Sequence, residues 1–124
     1  MSLISSIDRK KSKHHPAIEK LKKAVVKSLK DDKAIDVVEI DLDGKADFAH
    51  YMIIATGRSS RHINSLGDKI ADQLLASGLA NVNVEGSEKG EWVLIDGFDI
   101  VVHLFKEETR ATYDLESMWG FEVK

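Results

Sequence analysis

The chain has 124 residues and no cysteine. That excludes disulfide frameworks, thiolate metal sites, iron–sulfur clusters and cysteine nucleophiles, and it allows one domain with a core of its own. Hydrophobic residues at 43% and charged residues at 31% are ordinary for a soluble globular protein. No apolar run approaches a membrane span, and MSLISSIDRKK lacks the apolar stretch of a secretion signal.

The net charge of −3 hides a segregation. Residues 1–33 hold ten Lys/Arg against four Asp/Glu, or +6, whereas residues 34–124 hold eight against seventeen, or −9. An acidic body suits a basic protein surface better than a phosphate backbone. A solvated acidic surface behind a basic leading helix fits the same numbers.

In chain order, residues 1–13 are polar and basic with few apolar anchors and read as a flexible arm, followed by a single α/β domain over 14–124. Pro16 stands where a first helical residue belongs. Ile18, Leu21, Val25 and Leu29 recur at helical spacing, which predicts a helix over about 16–30, ended by Asp31-Asp32-Lys33. Ile35–Leu42 is β-branched and predicts a strand, and Asp43-Gly44 is a turn signal. Phe48–Ala55 predicts a second strand whose apolar half, Tyr51–Ala55, calls for burial on both faces. Ser59 or Ser60 can cap a helix with its stripe at Ile63, Leu66, Ile70 and Leu74, and Gly78 suits the left-handed position past its end. Val82 and Val84 mark a short strand, and Glu91–Ile95 and Asp99–Phe105 two more. A helix begins at Glu107 and runs toward Trp119. The order α-β-β-α-β-β-β-α predicts one mixed sheet of about five strands with helices packed on it.

Few residues offer catalytic chemistry. The five histidines form no HxxxH or HExxH pair, so no metal is expected. Gly57-Arg58-Ser59-Ser60-Arg61 is not a nucleophile elbow. With Arg58 and Arg61 that loop could hold an anion at a helix start, but it lacks a phosphate-binding glycine motif; alternatively it satisfies its own helix terminus. Asp41 and Asp43 have the DxD spacing with which some nucleotidyltransferases hold magnesium, although Asp43-Gly44 is better explained as a turn. No cofactor is expected.

The last third is the most informative. A two-residue hairpin with Gly97-Phe98 at its tip pairs Asp96 with Asp99, Leu94 with Val101 and Trp92 with His103. One face then carries Trp92, Leu94, Val101, His103 and Phe105, and the other the wholly apolar Val93, Ile95, Ile100, Val102 and Leu104. The first face has the composition of a binding surface; equally, the last helix could cover it and make Trp92 core. Tyr113 and Trp119 on that helix suit either interface anchors or residues docking the helix onto the sheet. Arg110 and Asp114 make an i,i+4 pair.

YMIIATGRSSRHI, the following Glu85-Gly86, and EWVLIDGFDIVVHLFKEETRATYDLESMW resemble the ribosomal silencing factor (Iojap-like) family over about residues 20–119. The resemblance implies a nucleotidyltransferase-like α/β fold without the catalytic constellation. It implies a cytoplasmic, often homodimeric factor that binds the large ribosomal subunit on universal large-subunit protein number fourteen. Bound there, such a factor sterically blocks joining of the small subunit and represses translation. Organelle relatives assist large-subunit assembly, which is the alternative role; a nucleotidyltransferase-like enzyme using Asp41 and Asp43 is a more distant one. On this reading Trp92, His103, Tyr113 and Trp119 are contact anchors, and Asp99, Asp114 and Glu116 meet a basic ribosomal protein. Neither membrane nor DNA is an expected partner. The chain departs from the family pattern at His50, where Asp is usual, and at Gly97, one place early in the hairpin.

Overall fold

A computed structural model describes residues 16–42, 49–78, 82–86, 90–97 and 99–113. The expected arm, the Asp43-Gly44 turn, Phe98 and the segment holding Asp114, Glu116 and Trp119 lie outside these.

Helix α1 (Pro16–Asp31) leads into β1 (Ile35–Asp41) and β2 (Tyr51–Thr56), then α2 (Ser60–Ala76), β3 (Asn83–Glu85), β4 (Trp92–Asp96), β5 (Ile100–Phe105) and α3 (Glu107–Tyr113). The element order is the expected one. The five strands form one mixed sheet in the order β1-β2-β5-β4-β3. β2 and β5 run parallel, and the other neighbouring pairs are antiparallel. The burial expected for Tyr51–Ala55 follows from this order: β2 has a strand on either side and every residue in it is buried.

Period-two alternation divides the apolar residues between two layers. Ile53, Ala55, Val93, Ile95, Val102 and Leu104 face α1 and α2, which bring Val25, Leu29, Ile63 and Leu74 into the main core. Gly67 lets α2 lie close to the sheet, since a Cβ there would sit 3.2 Å from Val93 Cγ1. On the opposite face Ile40, Leu42, Met52, Ile54, Val101 and Phe105 form a second buried cluster, with Trp92 and Leu94 packed against it.

The termini of α1 and α2 obey local rules. α1 ends with Lys33 in the left-handed region (φ 71°), its N–H donating to the Lys30 carbonyl and that of Ala34 to Leu29, a Schellman closure. Ser59 is the N-cap of α2, and Gly78 takes φ 100° just past its Ser77 C-cap.

Two expectations need correction, and one strand is irregular. The second strand begins at Tyr51 rather than Phe48, because the chain bends at His50. The first strand carries a bulge between Ile35 and Val38, where Asp36 takes φ 51°. The β4–β5 register differs by two: Trp92 faces Phe105, Leu94 faces His103 and Asp96 faces Val101. The Gly97 N–H donates to the Ile100 carbonyl, so the hairpin is centred one residue later than a Gly97-Phe98 tip would place it. A slip of two leaves each residue on its original face, so both face assignments stand.

Candidate functional site

β4 and β5 present three rings side by side. Trp92 stacks obliquely on Phe105, its direct cross-strand partner, with centroids 5.0 Å apart, and lies 5.7 Å from His103. The His103 and Phe105 rings are nearly parallel at 6.0 Å. Trp92 Nε1–H donates to His103 Nδ1 at 3.0 Å. Indole nitrogen only donates, so this bond places the imidazole proton on Nε2. Burial pushes the His103 pKa down to about 4. The ring is therefore a neutral acceptor at neutral pH. The face is less open than its composition suggests: His103 is 8% exposed and Phe105 1%, while Trp92 and Leu94 are half-buried.

Asp99 lies elsewhere. Its carboxylate is 3.2 Å from His50 Nδ1, and its carbonyl accepts from the His50 and Tyr51 N–H groups. It therefore fastens the hairpin to the start of β2. Trp92, beside Phe105, lies at the α3 end of β5, whereas Asp99 lies at the other end, roughly 20 Å away at strand rise. The structure thus brings Trp92 and His103 together, sets them near the start of α3, and separates Asp99 from them. Tyr113 is the last described residue of α3; Asp114, Glu116 and Trp119 fall outside the description.

Glu91 is exposed just before β4, and Glu107 and Glu108 are exposed in the first turn of α3, whereas Asp96 pairs with Val101 toward the Asp99 end. Anions in that first turn also complement the helix dipole.

Sequence reading missed two polar tethers. Arg110 Nη1–H donates to the Asp36 carbonyl at 2.7 Å and to Thr56 Oγ1 at 2.9 Å, tying α3 to the β1 bulge and the end of β2. No sequence signal announces a contact 74 residues apart; the expected partner Asp114 lies outside the described residues. His62 accepts from the Arg58 N–H at Nδ1 (2.9 Å) and bonds the Asp32 carbonyl through Nε2 (2.9 Å), joining the start of α2 to the end of α1. Its place three residues after the N-cap was the available clue.

The enzymatic alternatives point to two places. A crevice of about 310 Å³ opens beyond the carboxyl ends of β2 and β5, lined by Thr56, Gly57, Arg58, Lys106, Glu107 and Glu108. Two of its backbone donors are already used, Gly57 N–H by Phe105 and Arg58 N–H by His62, and beside it the His62 N–H donates to Ser59 Oγ. The loop satisfies its own helix terminus. Asp41 is exposed, and Asp43 lies outside the described residues. Among the described residues no three His, Asp or Glu side chains group as metal ligands, and no helix is long and apolar enough to cross a membrane.

Comparison with known proteins matches these features to one family. The family model "Ribosomal silencing factor during starvation" matches residues 15–124. "Ribosomal silencing factor RsfS" of Zymomonas mobilis is 46% identical over 103 residues, 83% of this chain and 77% of that protein. The mouse "Mitochondrial assembly of ribosomal large subunit protein 1" is 30% identical over 98 residues, 77% of this chain and 43% of that protein. A crystal structure of a Chromobacterium violaceum protein superposes with a TM-score of 0.81 at 34% identity, covering 86% of this chain and 89% of its own. The Zymomonas mobilis and mouse relatives are named for ribosome silencing or assembly rather than for a catalysed reaction. The chain is a member of the ribosomal silencing factor family.

Proposed function

We propose that this protein binds the large ribosomal subunit and, by occupying its joining face, keeps the small subunit away and represses translation. The observation that carries this reading is the family match over residues 15–124, reinforced by a close relative named as a ribosomal silencing factor. The docking surface is the β4–β5 face at Trp92 and His103 together with the last helix and the residues after it, including Tyr113, Asp114, Glu116 and Trp119. Glu91, Glu107 and Glu108, exposed beside that face, fit a basic ribosomal protein. Universal large-subunit protein number fourteen is the partner we assign. Asp99 contributes by holding the hairpin in place. The protein acts in the cytoplasm, without cofactor or catalysis, and pairs with itself when free.

A role in assembling the large subunit is the second reading, favoured by the name of the mouse relative. The test is sedimentation with purified large subunits, small subunits and whole ribosomes. The protein should travel with free large subunits and not with small ones; equal recovery with both would refute the reading.

A further inference from the structure

The exposed side of α1 is basic. Lys20, Lys23, Lys27 and Lys30 are all exposed and recur at intervals of three and four, so they lie along one helix face. The residues that α1 buries, Ile18, Val25, Val26 and Leu29, lie on the opposite side. Lys22 is the contrasting case: its ammonium turns inward, 2.8 Å from Glu39 and 4.8 Å from the Tyr51 ring centre. Lys20 and Lys30, the ends of the row, are ten positions apart, about 15 Å at helical rise, a length comparable to several phosphates along one nucleic-acid strand.

We infer that this lysine row is a second contact surface, one that takes the phosphate backbone of RNA. The inference rests on the proposed ribosome binding and adds a partner chemistry to it. Two observations favour RNA over a membrane or another protein. The apolar side of α1 is consumed by the core, so the helix has nothing to insert into a bilayer. The row also has no exposed large hydrophobic beside it, since among the described residues only Leu75 and Val84 are such, so it lacks the apolar anchor of a protein interface. Lys23 and Lys27 do have carboxylate neighbours, Glu19 at 3.8 Å and Asp31 at 2.7 Å. Exposed pairs four residues apart are weak and exchange readily for phosphates. The strip lies on the α1 side of the sheet, and Trp92 packs on the opposite side.

The experiment compares the full chain with a K20Q/K23Q/K27Q/K30Q variant and with an R58Q/R61Q/K69Q/K106Q control that removes equal charge elsewhere. Two probes are used over 50–200 mM salt: a fluorescent RNA duplex alone, and purified large subunits. Each lysine that meets a phosphate adds about 0.9 to the slope of log affinity against log salt. The row variant should have a slope shallower by about two to 3.6 with both probes and weaker duplex binding, while the control stays near the parent. Circular dichroism melting should be unchanged, since all four side chains are exposed. Parent-like slopes in the row variant, or equal losses in the control, would overturn the inference. If the parent failed to bind large subunits at all, the ribosomal reading would fall, and the duplex would still decide whether the row binds RNA.

Discussion

The indole N–H of Trp92 donates to Nδ1 of a buried, neutral His103 at 3.0 Å, across a register two residues removed from direct pairing. Burial of this imidazole makes stability depend on pH. The unfolded chain protonates the imidazole near 6.5, whereas burial holds the folded pKa at about 4. Between those values the unfolded state binds a proton that the folded state excludes. The stabilisation is whole above pH 6.5 and is lost as pH falls toward 4. Urea unfolding should show His103 responsible for a loss on the order of 2–3 kcal/mol across that window. A His103→Gln variant, which keeps an acceptor but does not titrate, should show a pH profile flatter by that amount.

Trp92 joins stability to the proposed contact. Trp92→Phe keeps a ring against Phe105 but removes the donor, leaving His103 Nδ1 without it, at a cost of about 1–3 kcal/mol. Trp92→Ala should cost more, about 3–5 kcal/mol. If the half-buried indole is also an anchor, the folded fraction should bind large subunits about thirtyfold more weakly. Melting and sedimentation measured together separate the two effects. Intact binding by the folded fraction would assign Trp92 to the second core and leave the last helix as the contact.

His50 and Asp99 hold the hairpin to β2 through a half-buried pair at 3.2 Å. His50→Asp sets two carboxylates against each other there. It should destabilise the fold at pH 7 by about 1–3 kcal/mol and recover on acidification, as one carboxylate takes a proton. Thermal denaturation at pH 7 and pH 4.5 checks the sign: a variant equally weakened at both would show packing rather than charge to be the cause.

The start of α2 depends on Ser59 and His62 together. Ser59→Ala should cost about 0.5–2 kcal/mol as a lost N-cap. His62→Ala should cost a similar amount and speed hydrogen exchange at the Arg58 amide, whose acceptor is His62 Nδ1. Unchanged exchange at Arg58 would mean that water replaces the ring without loss.

The parts of the fold written in local periodicity were legible in the sequence. The apolar stripes of α1 and α2, the caps at Ser59 and Gly78, and the two faces of β4 and β5 depend on near neighbours, and the structure has them as expected. The hairpin register is ambiguous in the sequence because Asp96-Gly97-Phe98-Asp99 allows two centres, and the choice between them rests on turn geometry. The face assignment survived only because the slip was even. Sequence could not show that Val101, His103 and Phe105 form a second buried layer, because composition does not reveal what covers a face. The ties from Arg110 to Asp36 and Thr56 and from His62 to Asp32 join residues 30 to 74 positions apart, and no local pattern encodes such pairings. Of the proposed contact residues, Trp92 and His103 were correctly made neighbours. Asp99 was grouped with them by its acidity, whereas the strand length sets it at the far end of β5.

The central claim is occlusion of subunit joining, and a sucrose gradient tests it most directly. Purified large subunits are incubated with increasing amounts of the protein, small subunits are added, and the whole-ribosome peak is measured. The account predicts that this peak falls in proportion to occupancy while the protein migrates with free large subunits. A whole-ribosome peak that stays undiminished at saturating occupancy, with the protein carried into it, would contradict the account.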